Sequence, residues 1–221
     1  MTGTAAKLID GPWVGPLAGG APTSLVIFLH GYGSNGADLI GLVPYWRQAL
    51  PGTTFVSPNA PELCPGAPGG YQWWGLSSFD RTARAAGATR AAPIVDAFID
   101  AELARHGFTE DRLALVGFSQ GTMMALQVGP RRERPLAGIV GYSGMLADEA
   151  ALEREVRTRP PILLVHGDAD PMIQVAAFYT TREALKRLGF PVESHVSPRL
   201  AHSIDAAGLQ LGEAFLRRVF A

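Results

Sequence analysis

Residues 113–121 read Leu113-Ala-Leu-Val-Gly-Phe-Ser-Gln-Gly121, an apolar run that ends in the pattern Gly-x-Ser-x-Gly. The apolar run predicts a strand, and the residues after Ser119 predict a helix that ends at Gly129-Pro130. A serine on such a sharp strand-to-helix turn is held in a strained conformation with its oxygen exposed, and the flanking glycines leave room for neighbouring backbone. The first amide N–H groups of the helix point toward the reacting centre. The segment therefore predicts that Ser119 is a nucleophile.

Six short apolar runs bounded by turn residues predict strands, and helical patterns lie between them. The strand candidates are Leu25–Leu29, Thr53–Ser57, Leu113–Val116, Gly138–Tyr142, Ile162–Val165 and Val192–Val196. The helical patterns cover about residues 90–106, 119–129, 175–188 and 204–221. Several runs are apolar almost throughout, which is typical of strands covered on both faces of a parallel sheet. The alternation predicts an α/β fold, a doubly wound and mostly parallel sheet flanked by helices, in a single domain over residues 1–221.

The composition narrows the classes of protein to consider. The chain is 47% hydrophobic and 18% charged with a formal net charge of −1, whereas a nucleic-acid-binding protein usually has a basic excess. Its one cysteine, Cys64, cannot form an internal disulfide, which favours a reducing compartment. The first ten residues lack the apolar core of a secretory signal, and no apolar run approaches the length of a membrane span. We therefore expect a cytoplasmic protein with no nucleic-acid partner and no stable membrane insertion.

A serine nucleophile needs a base within hydrogen-bond reach, and the base needs a group that orients it. After a strand–serine–helix turn of this kind, the acid comes next in the chain and the histidine last. The segment His166-Gly-Asp-Ala-Asp-Pro171 follows a predicted strand and offers two aspartates. Asp168 is close to the strand end, where it could instead tie the turn together by accepting backbone N–H bonds. Asp170 is farther out, where its carboxylate can project over the sheet edge, and we favour it as the acid.

Two histidines, His195 and His202, follow both aspartates in the chain. His195 is inside the alternating strand pattern Val192-Glu-Ser-His-Val196, which favours a surface or packed position. His202 is in a loop after the last predicted strand and just before the last helix, where the base is required. We therefore favour His202 as the base.

Catalysis at a serine also needs backbone donors for the oxyanion. One should be the N–H of Gln120, the residue after the nucleophile, and the other should come from the loop after an early strand. The predicted strand Leu25–Leu29 runs into His30-Gly-Tyr-Gly-Ser34, whose glycines let the backbone curl, so the Tyr32 N–H is the expected second donor. His30 precedes the serine and is at a strand end, which favours a structural hydrogen bond within the loop.

With these residues placed, the chain resembles the phospholipase/carboxylesterase family of α/β-hydrolases, which includes the acyl-protein thioesterases. The resemblance spans nearly the whole chain in the family's order. The matching stretches are Phe28-Leu-His-Gly-Tyr-Gly33 with Asp38-Leu39, Ser57-Pro-Asn-Ala-Pro61, Gly117-Phe-Ser-Gln-Gly121, Ser143-Gly144, His166-Gly-Asp-Ala-Asp-Pro171 and His202. The resemblance implies an α/β-hydrolase fold, a catalytic triad of Ser119, Asp170 and His202, and oxyanion donors at Tyr32 and Gln120.

The chain departs from the family pattern at three places. Thr122 stands where the family usually has a second glycine after the serine turn, and Gln174 stands where a further proline is common. Trp73-Trp-Gly75 replaces the usual Trp-Phe-Asp, next to the expected acyl pocket. The first two changes touch framework turns, so activity should persist, whereas the third weakens any inference about substrate preference.

An apolar stretch within a loop rich in proline and glycine is expected to overhang the site and line an acyl pocket. Its members are Leu63, Trp73, Trp74, Leu76 and Phe79, and Met145 and Leu146 follow another strand end. We expect short- to medium-chain carboxylic esters as small-molecule substrates, with thioesters or lysophospholipids as alternatives. No metal or organic cofactor is expected, and the protein should be a monomer or homodimer. The rival interpretations are a dienelactone hydrolase or peptidase relative and a non-catalytic binding module on the same fold.

Overall fold

The computed structural model describes residues 9–76 and 80–221, so Phe79 lies outside the described residues. Nine strands occur in this part of the chain. They are β1 (Trp13–Val14), β2 (Ser24–Leu29), β3 (Thr53–Val56), β4 (Glu62–Leu63), β5 (Tyr71–Gln72), β6 (Leu113–Phe118), β7 (Gly138–Tyr142), β8 (Ile162–Gly167) and β9 (Val192–Ser197). All six strands that the sequence predicts are present, with ends within two residues of the expected ones.

Seven of these strands form one sheet in the order β1-β3-β2-β6-β7-β8-β9, and β4 and β5 form a separate antiparallel hairpin. All strands of this sheet except β1 are parallel to one another. Strand β1 pairs antiparallel with β3 at the edge. Since parallel strands all end at the same side, the segments that follow β2, β6, β8 and β9 come together at one edge of the sheet.

Seven α-helices surround the sheet within the described residues. They are α1 (Gly36–Leu39), α2 (Val43–Trp46), α3 (Arg81–His106), α4 (Gln120–Val128), α5 (Glu149–Glu155), α6 (Val175–Arg187) and α7 (Ala206–Val219). Short 3-10 turns cover Ile40–Leu42, Glu110–Arg112 and Gly129–Arg131.

The core consists of two apolar layers, one on each face of the sheet. Along β2, Leu25, Ile27 and Leu29 pack on one layer, and Val26 and Phe28 pack on the other. The first layer includes side chains of α3, α4, α5 and α6, and the second includes side chains of α1, α2 and α7. Burial of both faces accounts for the nearly continuous apolar strands, and the expected fold class, a mostly parallel sheet flanked by helices, is confirmed.

Helix α3 begins nine residues earlier than the pattern from Arg90 indicates. Its first turns are rich in alanine and arginine and carry no broad apolar stripe, so periodicity does not reveal them. The Asp80 carboxylate caps the helix by accepting from the Ala83 N–H at 2.8 Å, and the left-handed Gly107 ends it at the predicted place. This early start carries the helix toward the edge of the sheet where the strands end.

Candidate active site

Ser119 lies between β6 and α4 with φ 56° and ψ −115°, a left-handed conformation that costs free energy for a residue with a side chain. Its N–H donates to the Tyr142 carbonyl on β7 at 2.9 Å, which fixes the turn to the neighbouring strand. A Cβ at Gly121 would stand 1.7 Å from the Leu29 carbonyl oxygen, and one at Gly117 would stand 2.4 Å from the Thr122 nitrogen. Both glycines are therefore required for the backbone to pass this closely.

Thr122, which departs from the family pattern, is accommodated by two glycines on the next strand end. Its hydroxyl donates to the Tyr142 carbonyl at 2.8 Å, the same oxygen that accepts from Ser119. A Cβ at Gly144 would stand 2.3 Å from the Thr122 Cβ, and one at Gly141 would stand 2.7 Å from its methyl group. The threonine thus fills the space that the missing side chains leave and adds a second bond at the serine turn.

Asp170 and His202 form a close pair beyond the ends of β8 and β9. The Nδ1 atom of His202 lies 2.7 Å from Oδ2 of Asp170, and Oδ1 accepts from the N–H groups of Met172 and Ile173 at 2.8 and 2.9 Å. The carboxylate is fully buried, whereas 20% of the His202 side chain is exposed. Burial raises the pKa of Asp170, but the bonds from His202 and from the two amides outweigh it and leave the pKa below its ordinary value. A charged Asp170 at neutral pH accepts a proton-bearing Nδ1, which leaves Nε2 of His202 as the basic nitrogen.

His166 supports this loop from beneath. Its side chain is fully buried, and its Nε2 lies 2.7 Å from the Ile173 carbonyl oxygen and 3.4 Å from Oδ2 of Asp170. The ring also packs against Phe178 with a centroid distance of 5.5 Å. The contacts assign His166 to holding residues 168–174, the acid loop, a role that the sequence pattern does not predict.

Ser119 and His202 line the same two cavities, and so does Tyr32. The larger cavity has a volume of about 510 Å³ and extends between α3, α4, α6 and the acid loop. Its other lining residues are Leu76, Arg84, Gln120, Met123, Met145, Met172, Ile173, Gln174 and Ala177. The smaller cavity, of about 340 Å³, lies on the opposite side toward α1 and α7. Residues 119, 170 and 202 are thus brought to one edge of the sheet.

The loop after β2 curls against the serine turn. A Cβ at Gly31 would stand 3.4 Å from the Ser119 Cβ, and Gly33 adopts φ 76° while its N–H donates to the Tyr71 carbonyl at 2.9 Å. Tyr32 stands between these glycines, beside the serine. Gln120 opens α4, where its backbone N–H has no acceptor within the helix. Both backbone groups that the sequence predicts as oxyanion donors therefore lie in segments next to Ser119.

His30 has both ring nitrogens in hydrogen bonds to backbone. Nε2 accepts from the Ala60 N–H at 2.9 Å, so the other nitrogen carries the proton and Nδ1 donates to the Gly31 carbonyl at 2.7 Å. Burial lowers the pKa of His30, in keeping with a neutral ring. This agrees with the structural role expected for His30.

The two rival residues for acid and base lie away from the pair. Asp168 accepts from the Arg199 N–H and so ties the acid loop to the loop after β9. His195 lies within β9, the edge strand, opposite Val165 of β8. Neither residue lines the two cavities that contain Ser119.

The expectation that Leu63, Trp73 and Trp74 line an acyl pocket requires correction. Both tryptophans are almost fully buried and line neither cavity: the Trp73 indole N–H donates to the His30 carbonyl at 2.9 Å, and Trp74 packs under Gly87 of α3. Leu63 is 70% exposed on the β4–β5 hairpin. The tryptophans are anchored by the Gln120 side chain, which accepts from the Trp73 N–H and donates to the Trp74 carbonyl, both at 2.9 Å. Trp73 and Trp74 therefore pack inside the protein and hold the loop in place, and they do not line the cavity.

Met145 and Leu76 do line the larger cavity, as expected, while Leu146 lines a smaller neighbouring one. Four other lining residues, Arg84, Met123, Met172 and Ile173, were not predicted from the sequence. Met123 could have been found, because it follows Ser119 by four residues and so shares its face of the helix. Across residues 9–76 and 80–221, no three His, Cys, Asp or Glu side chains group in a way that could hold a metal ion.

The fold and the serine turn place the protein among the α/β-hydrolases. The chain belongs to the phospholipase/carboxylesterase family, whose model matches residues 18–220, and the resemblance stated above is thereby confirmed. It is 32% identical over 211 residues to acyl-protein thioesterase 1 of Neurospora crassa, covering 88% of this chain and 86% of that one. It is 36% identical over 214 residues to acyl-protein thioesterase 1 of Schizosaccharomyces pombe, covering 90% and 92%.

Among solved structures, that of esterase PE8 is similar with a TM-score of 0.92 and 42% identity, covering 96% of this chain and 99% of the other. Family membership makes the protein a hydrolase of the esterase type. Within the part of the chain that the structure describes, no helix is both long and apolar enough to cross a membrane.

Proposed function

We propose that the protein is a serine carboxylesterase that hydrolyses short- to medium-chain carboxylic esters through an acyl-enzyme, with Ser119, His202 and Asp170 as its catalytic triad. Two observations together support this proposal. The Nδ1 atom of His202 lies 2.7 Å from Oδ2 of a buried, charged Asp170, and His202 lines the same cavity as the strained Ser119. A serine, a histidine and an oriented acid at one site are the requirements for nucleophilic acyl transfer.

In the proposed reaction, Nε2 of His202 takes the Ser119 proton as the serine oxygen attacks the ester carbonyl. Asp170 holds the imidazole in the required tautomer and stabilises the imidazolium that forms. The imidazolium then gives its proton to the leaving alcohol, and the acyl group stays on the serine. Water, activated by the same histidine, cleaves the acyl-enzyme and releases the carboxylic acid.

The negative charge that develops on the carbonyl oxygen would be stabilised by the N–H groups of Tyr32 and Gln120. Support comes from the close approach of Gly31 to Ser119 and from the position of Gln120 at the start of α4. Each such donor contributes about 3 kcal/mol to catalysis in other hydrolases. The N-terminal end of α4 adds a favourable dipole at the same place.

The proposed acyl-binding site is the larger cavity, because methionine, leucine and isoleucine side chains make up much of its wall. Methionine side chains adapt to different ligand shapes, so a range of acyl chains is expected. The smaller cavity, which includes Ser34, Asp38 and Ser203, is polar enough for the alcohol portion.

Thioester hydrolysis is the second candidate, because two of the similar proteins are named acyl-protein thioesterases. A lysophospholipase or a dienelactone hydrolase-like activity would use the same triad, and a non-catalytic binding module would use none of it. Rates for acyl chains from acetate to palmitate, compared with a matched thioester and a lysophospholipid, would separate these candidates. Cytoplasmic location and a monomeric or homodimeric state stay predictions, with small-molecule esters as the expected partners.

Hydrolysis of p-nitrophenyl butyrate by the purified protein tests the proposal. Wild type should turn the ester over, and both Ser119→Ala and His202→Ala should lower kcat by about three orders of magnitude or more. Ser194→Ala and His195→Ala on the edge strand β9 are matched controls and should keep the wild-type rate. An unchanged rate in Ser119→Ala would disprove the assignment of the nucleophile.

A further inference from the structure

The wall of the larger cavity carries one charged side chain that the proposed reaction does not use. Arg84 is the only Lys, Arg, Asp or Glu among the described residues that line this cavity with Ser119 and His202. Much of the surrounding wall is apolar, including Leu76, Met123 and Met145. A cation in such a wall marks a place where a ligand with a negative charge would bind.

Arg84 faces inward because of its position on α3. It shares one side of the helix with Gly87, Ala88 and Ala91, at the spacing of three, four and seven residues. Those three residues are buried, and Gly87 lies directly on the Trp74 ring, where a Cβ would stand 2.3 Å from the ring atoms. The packing of this face against the protein therefore directs Arg84 to the cavity rather than to solvent.

The guanidinium of Arg84 is only partly satisfied by the protein. Its Nε donates to the Ala147 carbonyl at 3.2 Å, and no carboxylate within residues 9–76 and 80–221 forms an ion pair with it. Two carboxylates, Asp148 and Asp80, are near enough for their charges to raise the pKa of Arg84, but both are engaged elsewhere. Asp148 lies 3.5 Å from Arg81 and caps α5 by accepting from two backbone N–H groups, and Asp80 caps α3. Among the described residues, neither terminal nitrogen of Arg84 has a hydrogen-bond partner, so both can bind a ligand.

Another arginine of this fold, Arg132, differs from Arg84 because carboxylates neutralise its charge. Arg132 has three carboxylates, Asp96, Asp100 and Glu110, within 3.1 Å. Burial by itself lowers the pKa of Arg132, but the hydrogen bonds to these carboxylates outweigh it and leave the pKa above its ordinary value. Burial, and then the neighbouring charge of Arg81, lower the pKa of Arg84 instead. Arg84 still carries its charge at neutral pH, because an arginine does not lose its proton in that range.

Beyond Arg84 the cavity continues into a smaller recess of about 260 Å³. The recess shares Arg84, Met145 and Ala177 with the larger cavity. Its other lining residues are Arg81, Leu146, Ala147, Glu149, Thr180 and Thr181, and the Glu149 carboxylate is paired with Arg187. The arginine thus stands where the larger cavity meets the recess. A ligand that spans from Ser119 to this point would have an apolar middle and a polar, anionic end.

We propose that Arg84 binds a carboxylate at the far end of the acyl group, so that half-esters of dicarboxylic acids are substrates of this enzyme. The inference rests on the proposed esterase function and names a substrate class for it. A planar guanidinium presents paired N–H donors that match a carboxylate, while the methionine-lined wall accommodates the methylene chain between the two ends. Hydrolysis would consume one water and release the alcohol and the free dicarboxylic acid.

The test compares matched pairs of esters that differ only in the terminal carboxylate. Monoethyl glutarate, adipate and suberate are each measured against the ethyl ester of the monocarboxylic acid with the same number of carbons. The quantity compared is the ratio of the two kcat/KM values, in wild type, Arg84→Gln and Arg84→Lys. Arg90→Gln is the control, since Arg90 is exposed on the same helix and lines neither cavity that contains Ser119.

Arg84→Gln should lower this ratio by about tenfold or more for at least one chain length, the effect of losing a hydrogen bond to a charged group. Arg84→Lys should keep part of the preference, and Arg90→Gln should keep all of it. A ratio that is the same in wild type and Arg84→Gln would overturn the inference while leaving the esterase proposal intact. Failure of wild type to hydrolyse the uncharged esters would instead count against the esterase proposal.

Inhibition of the wild-type enzyme provides a test that needs no variant to fold. Free hexanoate should compete with p-nitrophenyl butyrate at a concentration about tenfold lower than hexanamide, a neutral molecule of the same length, because only the acid offers Arg84 a charged acceptor. Equal inhibition by the acid and the amide would overturn the inference. A loss in Arg84→Gln of activity toward a lysophospholipid, with the half-ester preference unchanged, would also overturn it, since Arg84 would then serve a phosphate.

Discussion

At the scale of single residues, the proposed chemistry depends on a carboxylate that is buried and yet charged. Asp170 has three donors, namely the His202 ring and the backbone N–H groups of Met172 and Ile173, all within 2.9 Å. These bonds compensate for the loss of water and hold the pKa of Asp170 below its ordinary value. The same bonds fix which nitrogen of His202 carries the proton.

Asp170→Asn tests this role, because an amide can turn its NH₂ group toward the histidine and reverse the tautomer. We expect kcat on p-nitrophenyl butyrate to fall by about four orders of magnitude, with a much smaller change in KM. Asp168→Asn, two residues away in the same loop, is the control and should stay at least about tenfold more active than Asp170→Asn. Equal losses in the two variants would mean that Asp170 acts only through the loop's structure.

At the scale of elements, the turn from β6 to α4 works because three segments of backbone meet without side chains between them. Gly117 leaves room for the start of α4, and Gly121 lets α4 approach the carbonyl at the end of β2. Ser119 takes up the remaining strain in its left-handed conformation, stabilised by bonds to the Tyr142 carbonyl. The serine is thus positioned by strands on either side of its own.

Gly121→Ala should therefore destabilise the protein strongly. Its methyl group would stand 1.7 Å from the Leu29 carbonyl oxygen, a backbone atom that cannot move aside without shifting β2. We expect a loss of about 3 kcal/mol or more in the free energy of unfolding, measured by urea denaturation. Gly41→Ala, where an added Cβ meets nothing within 4 Å, is the matched control and should change stability by less than about 1 kcal/mol. A stable Gly121→Ala would contradict the close approach.

At the scale of the whole molecule, the site exists because parallel strands end at one edge. Ser119 follows β6, Asp170 follows β8 and His202 follows β9. Ser119 and His202, which are 83 positions apart in the chain, therefore line one cavity, and the buried Asp170 is paired with His202. Helix α3 and the acid loop form the walls of this cavity. The charged Asp170 couples this arrangement to the stability of the fold, because its bonds exist only in the folded protein.

This coupling predicts a pH-dependent difference in stability between wild type and Asp170→Asn. A carboxyl whose pKa is lower in the folded than in the unfolded chain stabilises the fold above its unfolded pKa, near 3.8, and this contribution is lost as the pH falls through the folded value. Urea denaturation at a series of pH values should therefore show the wild-type advantage shrinking as the pH falls below about 4. A difference that stays constant with pH would mean that Asp170 is not preferentially charged in the folded state.

Much of the framework could be read from the chain. Strands β2, β6, β7 and β8 have apolar runs that are short and sharply bounded, because strands buried on both faces need apolar side chains throughout. Hydrophobic periodicity did not predict the first nine residues of α3, because they carry no apolar stripe. It also did not predict β1, β4 and β5, because each is only two residues long. Such elements form because tertiary contacts stabilise them, not because of their local sequence.

The amino-acid sequence by itself determined the strand–serine–helix turn and the glycines of the loop after β2, since each depends on residues next to one another. Only the tertiary structure decided that Trp73 and Trp74 lie beneath the loop and that Arg84 faces the cavity. Aromatic residues in a polar loop look like a ligand surface, and an arginine near a helix start looks like solvent-exposed charge. Which way such side chains face depends on partners distant in the chain, here Gln120 and His30 for Trp73 and Trp74, and the Trp74 ring for the face of α3 that carries Arg84.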